Sequence, residues 1–262
     1  MYRKNYAKRE FNPNYSELLT QVVTEKGTIS NCFRMFHQYS IHNQLLAYYQ
    51  MRTMNLPITP INSFSGWNKL GRKIKPKSKA IFLWQPILIT TKEKNADGVE
   101  EETKKTIFKF KPSWFCMAQT EGKDITPDKV EIKGFDLNKV YELFEIKLVD
   151  FEHMNGNVQG YANVQKKTLA LNPMATDCEM TIFHEIAHIA LKHDDKIAHN
   201  LKELEAETVA YIVGSVLGLP EEQLSDSRGY IQGYFKENKI PDKNARRIMN
   251  IADKILKAGL GK

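Results

Sequence analysis

The segment Thr181-Ile182-Phe183-His184-Glu185-Ile186-Ala187-His188 constrains this chain more than any other. It sets two imidazoles and a carboxylate inside an apolar run that continues through Ile189 and Leu191. The spacing predicts a helix packed against a core, and residues four apart on a helix share a face. Polar side chains taken out of water need partners, because an unpaired one keeps its full desolvation penalty. A metal ion supplies such a partner. Neutral imidazole nitrogens ligate Zn2+, and a catalytic zinc site keeps one position open for water. Glu185 stands one step round the helix from His184, where it can take that water's proton. HExxH on a helix therefore points to a zinc-dependent hydrolase site with His184 and His188 as ligands and Glu185 as catalytic base. A coincidental, solvated histidine pair is the plainer alternative, and the apolar helix speaks against it.

A third ligand is expected from the next predicted helix, Leu201–Leu217. It offers Glu203, Glu205 and Glu207. Glu203 and Glu207 share a face with Ala206, Ala210 and Gly214, small residues that let two helices approach. Glu205 shares a face with Val209, Ile212 and Val216. This favours Glu203 as ligand, with Glu207 as second choice or as a group holding a ligand imidazole from behind. Glu205 ranks last, and His193 and His199 fall off the ligand face and read as solvated. The same glutamates could merely complement the helix dipole.

The 262 residues suffice for one large domain or two modest ones, and 42% hydrophobic with 26% charged residues fits a soluble globular protein. No apolar run approaches the ~18 residues of a membrane span. The basic N-terminus lacks a following apolar segment, so no signal peptide is expected. Cys32, Cys116 and Cys178 are scattered and odd in number, which fits a reducing cytoplasm. Charge is uneven. Residues 1–133 hold 22 Lys+Arg against 12 Asp+Glu, a net of +10, whereas residues 134–262 hold 16 against 19, a net of −3. Such asymmetry predicts two domains, 1–133 and 134–262, the first facing a polyanion.

Periodicity predicts helices at Ser16–Glu25 and, as one long element, Asn31–Met54. Strands are expected at Ala80–Thr91 and Thr106–Phe110, joined by an exposed loop over Lys92–Lys105, with an irregular linker over 112–135. In the second half, helices are expected at Leu137–Glu145, Leu201–Leu217, Arg228–Glu237 and Asn244–Ala258. Val158–Val164 and Thr168–Asn172 read as a hairpin, the latter with an edge that could receive an extended peptide. Tyr161 could steady an oxyanion, although packing in the hairpin is its simpler role. Thr176-Asp177-Cys178-Glu179 has the form of a capping box opening the histidine helix.

Between Trp67 and Trp84 stand Lys69, Arg72, Lys73, Lys75, Lys77 and Lys79, among Phe64, Phe82, Tyr39, Tyr48 and Tyr49. Cations that track phosphates beside rings that stack bases suit single-stranded nucleic acid. A solvated loop over core aromatics satisfies the same composition.

Phe36-His37-Gln38-Tyr39-Ser40-Ile41-His42-Asn43-Gln44-Leu45-Leu46 and Ser65-Gly66-Trp67-Asn68-Lys69-Leu70-Gly71-Arg72 resemble the N-terminal domain of ArdC-type antirestriction proteins. Ala118–Gly122 resembles that domain's closing segment. The second half resembles the zincin-like metallopeptidase domain that follows, through Gly160-Tyr161, His184–His188, Glu203–Glu207 and Ser227–Tyr230. The segment after His188 departs from the pattern, reading Ile-Ala-Leu-Lys-His in place of an aromatic-glycine sequence. The resemblance implies an α+β protein with a small single-stranded-DNA-binding domain and a mainly helical zincin-like domain holding a short antiparallel sheet. It places Asn43 with Tyr39, Trp67 and the basic cluster among the DNA contacts. It also implies a role on a plasmid or phage in protecting incoming DNA, with a protein or peptide substrate. Two alternatives stand beside it: a DNA-shielding protein whose zinc domain is structural, and a peptidase of the ImmA type, which cleaves repressors.

Overall fold

The computed structural model describes residues 11–94, 100–126, 130, 132, 134–152, 158–176 and 178–262. Helices α1 (Tyr15–Thr24) and α2 (Thr28–Phe36) set the organisation of the chain. Asn14 caps α1 by accepting the Glu17 N–H, and the helix buries Leu18, Leu19, Val22 and Val23. These surfaces close on helices from the far end of the chain. The Ser16 N–H donates to Asp242 Oδ1 at 3.0 Å, Gln232 Nε2 donates to the Thr24 carbonyl at 2.9 Å, and Ser30 Oγ donates to the Ser215 carbonyl at 2.7 Å. The chain accordingly forms two interleaved units. One comprises Met1–Asn12 with Leu46–Pro127, the other Pro13–Leu45 with Asp128–Lys262. Residues 13–45, expected in a first domain ending at 133, group with the second unit because their apolar faces are covered there.

The single helix expected over Asn31–Met54 is two, α2 and α3 (Ile41–Thr53). The break has a local cause. Asp253 Oδ1 accepts the Ile41 N–H at 2.9 Å, Ser40 Oγ accepts the Asn43 N–H, and Gln44 Nε2 donates back to the Tyr39 carbonyl at 2.8 Å. These side chains supply the partners of a new helix start, so the chain turns at 37–40.

The first unit holds a three-stranded antiparallel sheet, β1 (Ile61–Ser63), β3 (Ile81–Lys94) and β4 (Glu100–Cys116), in the order β1-β4-β3. Helix α4 (Phe64–Lys69) follows β1, and β2 (Arg72–Ile74) pairs with β5 (Thr120–Gly122). Gln50 on α3 ties helix to sheet: its amide donates to the Phe82 carbonyl and its carbonyl oxygen accepts the Phe82 N–H, both at 2.9 Å. The loop expected over Lys92–Lys105 is largely ladder, since β3 and β4 pair as far as Lys94 and Glu100. Residues 95–99 lie outside the described ones. The stretch expected to be irregular from 112 instead completes β4 and forms β5. Gly122 is required there, because at φ 128° a Cβ would meet the Gly71 carbonyl oxygen at 2.5 Å.

In the second unit α5 (Leu137–Phe144) leads to a small sheet of β6 (Lys147–Leu148), β7 (Gly160–Asn163) and β8 (Thr168–Leu171), ordered β6-β8-β7. β7 and β8 form the expected hairpin, but β6 joins β8 in parallel, so the sheet is mixed. β8 is thereby central and β7 takes the edge, a correction to the expected free edge at Thr168–Asn172. Four helices complete the unit: α6 (Cys178–Ala190), α7 (His199–Leu217), α8 (Glu221–Glu237) and α9 (Asp242–Gly259). Helix α7 is buried nearly all round and packs on α6, α8 and α9. The architecture is α+β, and no described helix is long and apolar enough to cross a membrane.

Candidate metal centre

Helix α6 buries Met180, Phe183, Ile186, Ala187 and Ile189, and Phe183 meets Phe135 edge-on at 5.7 Å. With that face turned to the core, His184 and His188 face α7. The capping-box reading spans Asp177, outside the described residues; the described helix begins at Cys178. Ala206, Ala210 and Gly214 line the approach of α7, and a Cβ on Gly214 would come within 2.9 Å of Met180 Sδ.

Across this helix pair three groups converge. His184 Nε2 and His188 Nε2 lie 3.0 Å apart. The Glu203 carboxylate reaches both, Oε2 at 3.3 Å from His184 Nε2 and Oε1 at 3.6 Å from His188 Nε2. His184, His188 and Glu203 each offer a ligand atom, all within 4.8 Å of one another. Behind His184, Glu207 Oε2 contacts Nδ1 at 2.7 Å. A carboxylate accepts and does not donate, so Nδ1 carries a proton and Nε2 is the nitrogen turned to the cluster. Two nitrogens bound tetrahedrally at ~2.0–2.1 Å would stand roughly 3.3 Å apart, so the observed spacing fits a metal ion closely.

Charge at the cluster follows from its crowding. Burial opposes protonation of His184, but its bonds to Glu203 and Glu207 outweigh that and push its pKa up to about 10. The adjoining His184 and His188 rings hold the Glu203 carboxyl well below the usual range. Burial would raise Glu207, yet His184 wins and lowers it. Glu185 goes the other way: burial raises it, against the opposing histidines and a bond from the Ala162 backbone. A glutamate lifted in this way holds a proton more readily at neutral pH, as a general base must.

His193 was expected to be solvated and Glu205 ranked last; both are buried and both belong to the site's surroundings. The chain reverses at Lys192, whose φ is 51°, and this folds the His193 ring back under the helix. His193 Nδ1 lies 2.8 Å from His188 Nδ1, and His193 Nε2 lies 2.9 Å from Glu205 Oε2. Asn244 Nδ2 donates to Glu205 Oε1 at 2.8 Å, and Arg247 Nη1 stands 3.7 Å from Oε2. One signal in the sequence could have shown this: a single carboxylate on an otherwise apolar helix face demands a buried partner. Ser227 is a second such residue, buried and bonded to Glu207. His199 is exposed, its Nδ1 3.7 Å from Glu203 Oε1.

Two cavities open on either side of the cluster. One, of 650 Å³, reaches past Gln159, Met180, Asp226 and Tyr230; the other, of 880 Å³, runs past Asn163, Lys192 and Lys202. Gly160, His184, Glu185 and Glu203 border both. Together they form a cleft that follows the edge strand β7. Gly160 fits there because a Cβ would stand 2.8 Å from Thr181 Cγ2 and 3.1 Å from the Ala170 carbonyl oxygen. The Tyr161 hydroxyl donates to the Asp150 carbonyl at 3.3 Å, a packing role.

The expected DNA contacts are dispersed. Lys69, Lys73, Lys75, Lys77 and Lys79 are exposed on the first unit. Arg72 is tied down there, donating Nε to Thr120 Oγ1 at 2.7 Å and Nη2 to the Thr120 carbonyl at 3.2 Å. Trp67 is a core residue, 2% exposed, with Nε1 donating to the Phe115 carbonyl, and offers no face for stacking. Tyr39 and Asn43 belong to the other unit. Among the described residues the exposed aromatics on the first unit are Phe64, on α4, and Phe108, 64% accessible on β4 and two pairs along from the Trp84–Phe110 contact at 5.2 Å.

Fold and cluster together define a class: a two-unit α+β protein with a His-His-Glu candidate metal centre on paired helices. No family model and no curated protein matches the sequence. Among solved structures the fold is that of the antirestriction ArdC protein from the R388 plasmid. Its Mn(II)-bound structure superposes with a TM-score of 0.51 at 13% identity, over 96% of this chain and 99% of that one. The metal-free structure of the same protein gives 0.49 at 15% identity, over 95% and 96%.

Proposed function

We propose that this chain is a single-stranded-DNA-binding protein with a zinc metallopeptidase centre, acting in the cytoplasm to protect incoming DNA of a mobile element. The observation that carries the enzymatic part is the convergence of His184 Nε2, His188 Nε2 and the Glu203 carboxylate, with Glu185 beside them in an open cleft. The antirestriction part draws on the R388 ArdC protein, whose fold this chain shares. A divalent ion held by His184, His188 and Glu203 would supply Lewis acidity and lower the pKa of a bound water. Zn2+ suits these donors best, and the Mn(II) of the ArdC structure marks the competing ion.

The protein's own groups then divide the work. Glu207 fixes the His184 tautomer. Glu185, steadied by the Ala162 backbone, accepts a proton from water in the cleft and returns it to a leaving amine. The edge of β7 offers backbone groups to an extended peptide lying across both cavities. On the first unit, the five exposed lysines from Lys69 to Lys79 track phosphates and Phe108 receives a base.

Zinc analysis of purified protein beside a His184→Ala variant tests the centre; equal zinc in both would sink it. Glu185→Gln should keep the ion and lose peptide cleavage. Should that variant protect DNA as well as the wild type, the shielding reading, with a structural metal domain, would replace the peptidase. Oligonucleotide binding should weaken as salt rises, and replacing Lys73, Lys75 and Lys77 with Glu should abolish it.

A further inference from the structure

Glu205, His193 and His188 form a chain of contacts that the proposed hydrolysis does not itself use. Glu205 is fully buried, on the face of α7 turned from the cleft. Its carboxylate accepts from Asn244, stands beside Arg247, and meets His193 Nε2 at 2.9 Å. Facing an acceptor-only group, His193 must carry its proton on Nε2. The neutral ring then presents a lone pair at Nδ1, 2.8 Å from His188 Nδ1. Two ring nitrogens at that distance need one hydrogen between them, so His188 supplies it from Nδ1. That leaves His188 Nε2 bare and aimed at His184 Nε2 and Glu203.

We infer that Glu205 and His193 are positioning residues that lock His188 in the Nδ1–H tautomer and so preset its Nε2 as a metal ligand. The inference rests on the metal reading of the cluster and extends it. Glu207 does the same for His184 with one residue; His188, one turn further along α6, is served by two. Neither residue offers an atom to the His184, His188 and Glu203 cluster, so their effect runs through His188. Reversing the chain's polarity would put the proton on His188 Nε2, where it blocks the ion.

The test compares wild type with His193→Leu, His193→Gln and Glu205→Gln, reading zinc affinity by competition with a chromophoric chelator and the His188 tautomer by 15N NMR. Loss of the acceptor in His193→Leu should weaken zinc binding about 10- to 100-fold and move the His188 proton toward Nε2. His193→Gln keeps an acceptor carbonyl and should recover most of the affinity. In Glu205→Gln an amide can donate to His193 and reverse the polarity, so affinity should fall and both tautomers appear. Unchanged affinity and an unchanged His188 spectrum in His193→Leu would overturn the inference, as would equal losses in His193→Leu and His193→Gln. If the wild type takes up no zinc, the metal reading fails, and the spectrum still decides the wiring: a proton on Nδ1 upholds it and one on Nε2 refutes it.

Discussion

His42 offers a stability prediction whose size follows from its surroundings. It lies on α3 against Tyr15, the two rings edge-on at 4.7 Å, and its Nε2 is buried with no hydrogen-bond partner. Burial disfavours the imidazolium, and the Arg246 guanidinium adds to this. Asp253 and the Asn250 side chain oppose them only in part, and the pKa falls from 6.5 to about 4. A histidine depressed on folding stabilises the native state above its unfolded pKa and withdraws that support as pH falls. Between pH 7 and pH 4 the unfolded chain takes up a proton that the native ring resists, at a cost of about 3 kcal/mol. His42→Leu has no such titration. Urea unfolding of both proteins at the two pH values, followed by helical circular dichroism, therefore shows the wild type losing about 3 kcal/mol more than the variant on acidification. Parallel loss in wild type and variant would refute the account, because carboxylates titrate equally in both.

Three further outcomes follow from the same physics. Chelator-treated protein should lose stability as pH rises from 6.5 towards 10, since His184 is raised and its support is complete only below 6.5; thermal melts beside His184→Ala, which should lack the decline, check this. Gln50→Leu strands the buried Phe82 N–H and carbonyl and should cost the first unit about 2–4 kcal/mol, read from the fluorescence of Trp67 and Trp114 during denaturation. Gly214→Val presses on Met180, Leu219 and Leu224, and should cost about 1–3 kcal/mol in melting experiments while loosening the cluster enough to weaken zinc uptake.

Local periodicity made α1, α5, α6 and α7 readable, because each pairs an apolar face with polar punctuation. The convergence of His184, His188 and Glu203 was readable for the same reason: helix spacing alone brings residues four apart together and ranks the glutamates on a neighbouring helix. What escaped depends on contacts distant in sequence. The break before α3 is made by Asp253, more than two hundred positions away, and the parallel strand β6 has too few residues to show a period. Trp67 looked like a platform among lysines because composition cannot tell a stacked ring from a buried one; its indole N–H bond to Phe115 decides. His193 needed the reversal at Lys192, a backbone event that no hydrophobic pattern records.

The interleaving of the two units bears on how the protein is made. Emerging from a ribosome, α1 and α2 find the helices that cover them only after α7, α8 and α9 have been synthesised. The sheet of the intervening unit, with its long β3–β4 ladder, can pair during that interval. The histidine-bearing unit is thus finished by an earlier segment closing over a later one, and a break anywhere between residues 45 and 128 would leave that closure to chance encounter between two fragments.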